Sequence, residues 1–155
     1  MNEIMVDIST AVNEPVREYR PGSSERASLK SKLAEMENES YEIPIIIGGK
    51  TFHTGDTGDC RKPHDHQHIL GTYHKSGEVE VSQAINSALD AWQSWSATPL
   101  SERTAIFRRA AELLAGPWRD TINAATMLNQ SKNVYQAEID AACELIDFFN
   151  FNCQF

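Results

Sequence analysis

The 155-residue sequence is poor in cysteine, and its few cysteines form no recognisable pair. There are three of them, at positions 60, 143 and 153, and no Cys-x-x-Cys spacing occurs. An odd number of cysteines at scattered positions argues against a disulfide framework. We therefore expect Cys60, Cys143 and Cys153 to be free thiols. Cys143 and Cys153 fall in the last helical pattern, where a small buried apolar role is expected.

The sequence also lacks an excess of basic residues and a long apolar run. It has 14 lysine and arginine residues and 22 aspartate and glutamate residues, which gives a formal net charge of −8. An acidic surface is poorly suited to nucleic acid or to anionic lipid. No apolar stretch is long enough to span a bilayer. We expect neither a nucleic-acid partner nor a membrane partner.

The N-terminal residues lack the features of a targeting leader. The segment MNEIMVDISTAV has no basic region followed by an apolar core, so a secretory signal is not expected. Glu3 and Asp7 argue against a mitochondrial transit peptide, which is rich in arginine and poor in acids. We therefore predict a cytoplasmic protein, and a relative in the mitochondrial matrix would need a leader that is absent here.

Residues 1–42 have scattered apolar positions interrupted by proline and glycine. Within them, residues 28–39 are typical of a short helix with one apolar stripe. We interpret residues 1–42 as an arm packed over a larger body. The alternative is a partly disordered tail. The stripe consists of Leu29, Leu33 and Met36.

Residues 43–53 predict a β-hairpin. Two short apolar or β-branched runs flank the dipeptide Gly48-Gly49. Two consecutive glycines suit a two-residue hairpin turn, because such a turn requires positive φ angles.

A possible metal site lies in residues 60–74, which we interpret as ending in a short strand over residues 69–73. Alternating histidines on an extended strand point to the same side, so a zinc or nickel site is conceivable. Pro63 disturbs strand geometry, however, and no second cluster of ligands completes the site. We therefore favour solvent-facing histidines and predict no metal. The candidate ligands are Cys60, His64, His66, His68 and His74.

Four helices are predicted after residue 76. They cover residues 77–95, residues 99–115, residues 118–128 and a last stretch from residue 134 onward. Ser76 can cap the first helix, and Asn133 with Gln136 has the spacing of a capping box. The predicted buried positions of the first two helices are Val81, Ala84, Ile85, Ala88, Trp92, Trp95, Leu100, Ile106, Ala110, Leu113 and Leu114. Ordinary surface charge is expected for Arg103, Arg108, Arg109 and Arg119.

The last helix carries one carboxylate at an unusual position. On a helical wheel its alanines, leucine, isoleucine and phenylalanines form a broad arc, with Asp140 and Asp147 opposite. Glu144 falls at the edge of this arc, so it is a candidate for the wall of a pocket. The alternative is a solvated boundary residue, since glutamate is mostly exposed.

Several segments carry a family resemblance. The longest is GPWRDTINAATMLNQSKNVYQAEIDAACELIDF, from Gly116 to Phe148, and the segments from Asn13, Pro44 and Pro63 add to it. They resemble the 1-pyrroline-5-carboxylate dehydrogenases, or L-glutamate γ-semialdehyde dehydrogenases, of the aldehyde dehydrogenase superfamily. Effectively the whole chain is similar to the N-terminal portion of these much longer proteins.

The resemblance implies an α/β fold of the aldehyde dehydrogenase type, here limited to its N-terminal part: an arm, short strands and four helices. It implies an arm over residues 1–42 and, over residues 43–155, the start of the NAD-binding Rossmann-type domain. It also implies NAD as cofactor, L-glutamate γ-semialdehyde as substrate and a homo-oligomeric parent enzyme. Such an enzyme performs the second step of proline breakdown. The alternative is a non-catalytic fragment with a structural or subunit-association role.

The resemblance places the catalytic machinery beyond residue 155. The nucleophilic cysteine, the general-base glutamate, the oxyanion-stabilising asparagine and nearly all dinucleotide contacts lie further along in the family. We therefore assign no catalytic, cofactor-binding or metal residue in this chain. Glu144 alone matches a family glutamate near the substrate, where it is expected to receive the α-ammonium group of the semialdehyde.

Overall fold

The structure is a computed structural model that describes residues 10–155. Within this range, helices and short strands form the mixed α/β arrangement that the sequence predicted. The elements in chain order are α1 (Ser24–Glu37), β1 (Tyr41–Ile43), β2 (Ile45–Ile47), β3 (Lys50–Phe52), β4 (Thr57–Lys62), β5 (Asp65–His74), α2 (Glu78–Ala97), α3 (Leu100–Ala115), α4 (Arg119–Gln130), α5 (Val134–Ala137), a π-helical segment (Glu138–Cys143) and α6 (Glu144–Asn152).

The predicted hairpin is confirmed as a two-stranded antiparallel sheet of β2 and β3. Ile45 pairs with Phe52, and Ile47 pairs with Lys50. The turn between the strands has φ angles of 56° at Gly48 and 75° at Gly49. Both values lie in the left-handed region that glycine adopts without steric cost, so these glycines fix the turn.

The second sheet has three strands in the order β1-β5-β4. β5 pairs in parallel with β1 and antiparallel with β4. A Cβ atom at Gly71 would lie 2.2 Å from the carbonyl oxygen of Tyr41, so only glycine permits this close approach. β5 is longer than the strand predicted over residues 69–73. The reason is that Pro63 and His64 form the turn before β5, so the proline does not interrupt the strand.

Helix α1 packs on α4 through the stripe that the sequence predicted. It starts at Ser24, earlier than expected, because the Ser23 hydroxyl caps it by accepting from the Arg26 amide. Leu29 joins Tyr19 and Ala124 in a buried apolar cluster. Partly buried side chains around this cluster are Leu33, Met36, Met127 and Val134.

The predicted burial of the α2 stripe is wrong for this chain. None of the residues of α2 is buried, and Trp92 is 67% exposed. In α3, Leu100 and Ile106 are likewise exposed. Periodicity sets where a helix forms and which face is apolar, but burial requires a partner surface. Among the elements that the structure describes, α2 makes its main contacts with β2. The cap of α2 also differs from the prediction, because Gly77 and not Ser76 precedes it, and the Glu80 carboxylate accepts from the Gly77 amide.

The last helical stretch runs from Val134 to Asn152, as predicted, but it is not uniform. The capping box is confirmed, since Asn133 and Gln136 each accept from the other's amide at 3.0 Å. A π-helical segment that the sequence did not predict separates α5 from α6. In the part of the chain that the structure describes, no helix combines the length and the apolar character needed to cross a membrane.

Candidate functional site

Glu144 is the first residue of α6, and its side chain is exposed. It directly follows the π-helical segment. Its carboxylate makes no ion pair with the residues that the structure describes. The sequence placed Glu144 at the edge of an apolar arc, and Phe148, one turn further along, is 60% exposed. An exposed carboxylate therefore lies beside an exposed aromatic ring.

The π-helical segment is anchored by a buried ion pair between Glu138 and Arg119. Arg119 is 1% exposed and Glu138 is 0% exposed. The Arg119 Nε atom lies 3.2 and 3.3 Å from the two carboxylate oxygens, and Nη2 lies 2.5 Å from Oε1. Nη2 also donates to the Pro15 carbonyl at 2.8 Å, and Nη1 pairs with Glu14. The guanidinium group thus joins α4, the π-helical segment and the N-terminal arm.

The prediction of Arg119 as ordinary surface charge is wrong. Arg119 begins α4, and the arm and the π-helical segment enclose its side chain. Both partners are distant in sequence, so a pattern read within one helix does not find them. The one available signal was the helical-wheel position of Glu138, which falls inside the apolar arc, between Leu145 and Phe149.

Tyr19 and Asn123 complete the hydrogen bonding of Glu138. The Tyr19 hydroxyl donates to Oε2 at 2.8 Å, and the Asn123 amide donates to the same oxygen at 2.8 Å. The Arg17 backbone amide donates to Oε1 at 2.8 Å. Buried charges are tolerated only when they are paired and hydrogen-bonded, and Glu138 meets both conditions.

The electrostatics of this cluster favour the ionised carboxylate. Burial alone would raise the pKa of Glu138, but hydrogen bonds from Arg119, the Arg17 amide, Tyr19 and Asn123 outweigh it and hold that pKa below its usual range. Burial, followed by the hydrogen bond to Glu138, raises the pKa of Tyr19 well above its usual range. The buried ion pair of Arg119 and Glu138 is therefore charged at neutral pH.

Cys143 lies beside the ion pair but is a poor nucleophile. Burial, followed by the negative charge of Glu138, raises the pKa of the Cys143 thiol to about 11. A reactive thiol needs a lowered pKa and solvent access. The expected burial is confirmed for Cys143 and for Cys153, which are 5% and 9% exposed. The surroundings of Cys143 are polar, however, since its Sγ atom accepts from Arg119 Nη2 at 3.4 Å. Cys60, Cys143 and Cys153 are all free thiols.

The N-terminal arm holds the helical stretch on both sides of Glu144. Asp147, one turn after Glu144, accepts from the Asn13 side chain at 2.8 Å and from the Glu14 amide at 2.7 Å. Glu138, six residues before Glu144, is bound to the arm as described. The arm therefore fixes the segment that presents the Glu144 carboxylate to solvent.

The histidines of residues 60–74 do not converge on one point. His64 is exposed, and its Nδ1 atom lies 2.7 Å from the Ser131 hydroxyl. His66 is exposed as well. His74, in contrast, lies against Glu42 and His53, which the sequence did not group with it.

Comparison with known proteins gives consistent matches. The aldehyde dehydrogenase family model matches residues 52–155. A delta-1-pyrroline-5-carboxylate dehydrogenase of Agaricus bisporus is 45% identical over 92% of this chain and 26% of its own length. The mitochondrial one of Homo sapiens is 39% identical over 92% of this chain and 25% of its own length.

A solved structure shows the same architecture. The delta-pyrroline-5-carboxylate dehydrogenase of Mycobacterium tuberculosis bound with NAD superposes with a TM-score of 0.94 at 45% identity, over 98% of this chain and 29% of that one. The chain spans about a quarter of the length of the curated relatives it matches. It belongs to the aldehyde dehydrogenase family.

Proposed function

We propose that this chain is the N-terminal part of an NAD-dependent dehydrogenase that oxidises L-glutamate γ-semialdehyde, formed from 1-pyrroline-5-carboxylate, to L-glutamate. The observation that carries the proposal is the similarity of nearly the whole chain to relatives named for 1-pyrroline-5-carboxylate. NAD is supported by its presence in the Mycobacterium tuberculosis structure. Bound NAD would accept the hydride of the aldehyde carbon.

The contribution of this chain would be structural and substrate-orienting. Residues 1–42 would serve as an arm, and residues 43–155 would begin the NAD-binding domain. The hydrogen bonds from residues 13–19 to Glu138 and Asp147 support the role of the arm. The family resemblance implies that the nucleophilic cysteine would come from elsewhere in the enzyme, and the raised pKa of the buried Cys143 thiol is consistent with this.

Glu144 would bind the α-ammonium group of the semialdehyde. This role is supported by the exposure of the Glu144 carboxylate. The helical stretch that carries it is held in place by the buried Arg119–Glu138 pair and by hydrogen bonds to the N-terminal arm. A charge-assisted hydrogen bond to an ammonium group would orient the substrate and distinguish it from simple aldehydes.

Location and assembly belong to the same proposal. A cytoplasmic location is proposed, whereas several eukaryotic relatives are named mitochondrial. A homo-oligomeric enzyme is proposed from the family resemblance alone.

One observation favours the alternative function. The apolar face of α2 is exposed, with Leu89 at 60% and Trp92 at 67%. An exposed apolar face of this kind is suited to bind another polypeptide, such as an intact subunit of the enzyme. In that case the chain would have a structural role and would not catalyse a reaction.

The test is NAD reduction with 1-pyrroline-5-carboxylate as substrate. The 155-residue chain is assayed beside the same chain extended to its natural stop codon. Activity in the extended chain alone is expected. If neither chain is active, the catalytic proposal fails and the association role gains support. Activity in the short chain alone would contradict the assignment of the catalytic residues beyond residue 155.

A further inference from the structure

Two histidines and one glutamate from three separate segments meet beside the end of β5. Glu42 lies on β1, His53 directly follows β3, and His74 is the last residue of β5. The Glu42 Oε1 atom lies 2.8 Å from His74 Nε2 and 3.0 Å from His53 Nδ1, and the two nitrogens are 3.1 Å apart. Each side chain thus offers one potential ligand atom at a common point.

Strand register explains the convergence. Glu42 pairs with Thr72 across the parallel strands, and His74 lies two residues further on the same face of β5. The His74 side chain is 5% exposed, whereas those of His53 and Glu42 are 52% and 60% exposed. One ligand is therefore held rigidly, and the site stays open to solvent on the other side.

Without a metal ion, His74 and Glu42 are joined by a hydrogen bond. The Gly55 amide donates to His74 Nδ1 at 3.3 Å, so the neutral His74 ring carries its proton on Nε2 and donates it to Glu42. A metal ion at Nε2 would displace that proton, and the ring would take up one proton from solvent at Nδ1, so that it stays neutral and no net proton is lost. The Gly55 amide must turn away for this to occur, and a turn glycine with a φ of 79° is well suited to such a change.

We propose that Glu42, His53 and His74 bind a divalent transition-metal ion of the zinc class. Two imidazoles and one carboxylate with a solvent ligand in the fourth position match the donor set of three-residue zinc sites. At the present separations of these atoms, an ion about 2.0–2.1 Å from each of them would lie about 1.1 Å outside their plane. If the three atoms separated by a few tenths of an ångström, that height would fall to about 0.7 Å, as in a tetrahedral site.

The bound ion would connect the two sheets. Glu42 and His74 belong to strands of the three-stranded sheet, and His53 follows the hairpin of β2 and β3. A ligand that binds only the folded state stabilises it. The proposal is independent of the enzymatic function, and only His74 is shared with the ligands considered from the sequence.

The test measures metal binding to the full chain, purified without a polyhistidine tag. Zn²⁺ is titrated by calorimetry, and Co²⁺ by the visible absorption that distinguishes four-coordinate from hydrated cobalt. We expect one equivalent of each ion to bind, and we expect Zn²⁺ to raise the Tm.

His53→Ala is the decisive variant, because the His53 side chain is half exposed and its loss should not prevent folding. It should weaken Zn²⁺ binding at least tenfold and abolish the Tm increase. His66→Ala, at an exposed histidine outside the cluster, is the matched control and should bind as the unaltered chain does. Absence of stoichiometric binding, or equal binding by the His53→Ala variant, would overturn the proposal.

Discussion

At the scale of single residues, the buried Glu138 carboxylate is the most consequential group in the chain. Replacing it with glutamine leaves Arg119 buried with only Glu14 as a charged partner. Removing one member of a buried ion pair costs about 3–5 kcal/mol. We expect Glu138→Gln to lower the free energy of unfolding by about 3 kcal/mol, the low end of that range, because Glu14 remains. Urea denaturation measures the loss.

Glu112→Gln is the matched control, because Glu112 forms an exposed ion pair with Arg109. Exposed pairs contribute about 0–1 kcal/mol, so this change should have little effect. The pH dependence gives a second check. The pKa of Glu138 is lowered on folding, so its contribution to stability is fully present above the unfolded pKa of about 4.3. It is lost progressively as pH falls from that value through the lower pKa of the folded state. Equal stability losses in both variants would contradict the role assigned to the buried pair.

Glu144 is the residue whose replacement should affect substrate recognition. In the active full-length enzyme, Glu144→Gln removes the charge that would bind the α-ammonium group. Hydrogen bonds to charged groups contribute about 1.5–3 kcal/mol, so KM for the semialdehyde should rise at least about tenfold. KM for a simple aldehyde without an ammonium group should not change.

Steady-state kinetics with both aldehydes measure this effect. Asp140→Asn is the matched control, because Asp140 is an exposed carboxylate of the same helical stretch and pairs with Lys132. If KM rises equally for both aldehydes in the Glu144→Gln enzyme, specific recognition of the ammonium group is refuted.

At the scale of elements, the β2–β3 hairpin depends on backbone conformation at its turn. Gly49 has a φ of 75°, and no atom lies within 4 Å of where its Cβ would be. Gly49→Ala therefore isolates backbone strain from crowding. We expect a loss of about 1–2 kcal/mol in unfolding free energy. Gly49→Asn should lose less, because asparagine tolerates this conformation. Thermal denaturation compares them, and no difference between alanine and asparagine would argue against backbone strain.

Elements governed by local chemistry could be predicted from the sequence. The hairpin turn at Gly48 and Gly49, the capping box at Asn133 and the apolar stripe around Leu29 all depend on neighbouring residues. Their positions differ from the prediction by only a few residues.

Features governed by distant contacts could not be predicted. Arg119 is buried because the arm and the π-helical segment enclose it. Glu42 and His74 meet because β1 and β5 pair in parallel, a register that no local pattern specifies, and His53 reaches them from the separate hairpin. The substrate role of Glu144 came from family resemblance, and it stays a prediction.

At the scale of the whole molecule, the described residues do not cover the apolar face of α2. Leu89 belongs to this face together with Ile85 and Trp92, and it is 60% exposed. An aspartate at this position would be solvated in the 155-residue chain. Leu89→Asp should therefore change the stability of that chain by no more than about 0.5 kcal/mol.

The same substitution should act differently in a longer protein whose further residues pack on α2. A buried and unpaired carboxylate is strongly unfavourable, so Leu89→Asp should there cost about 3 kcal/mol or more. Gln83→Asp, at an exposed position on the side of α2 opposite the apolar face, controls for placing an acid in the helix. Denaturation of both chains measures the contrast. A large cost in the longer protein alone would show that this face is an internal packing surface, whereas equally small costs in both would mean that it stays available to a separate partner.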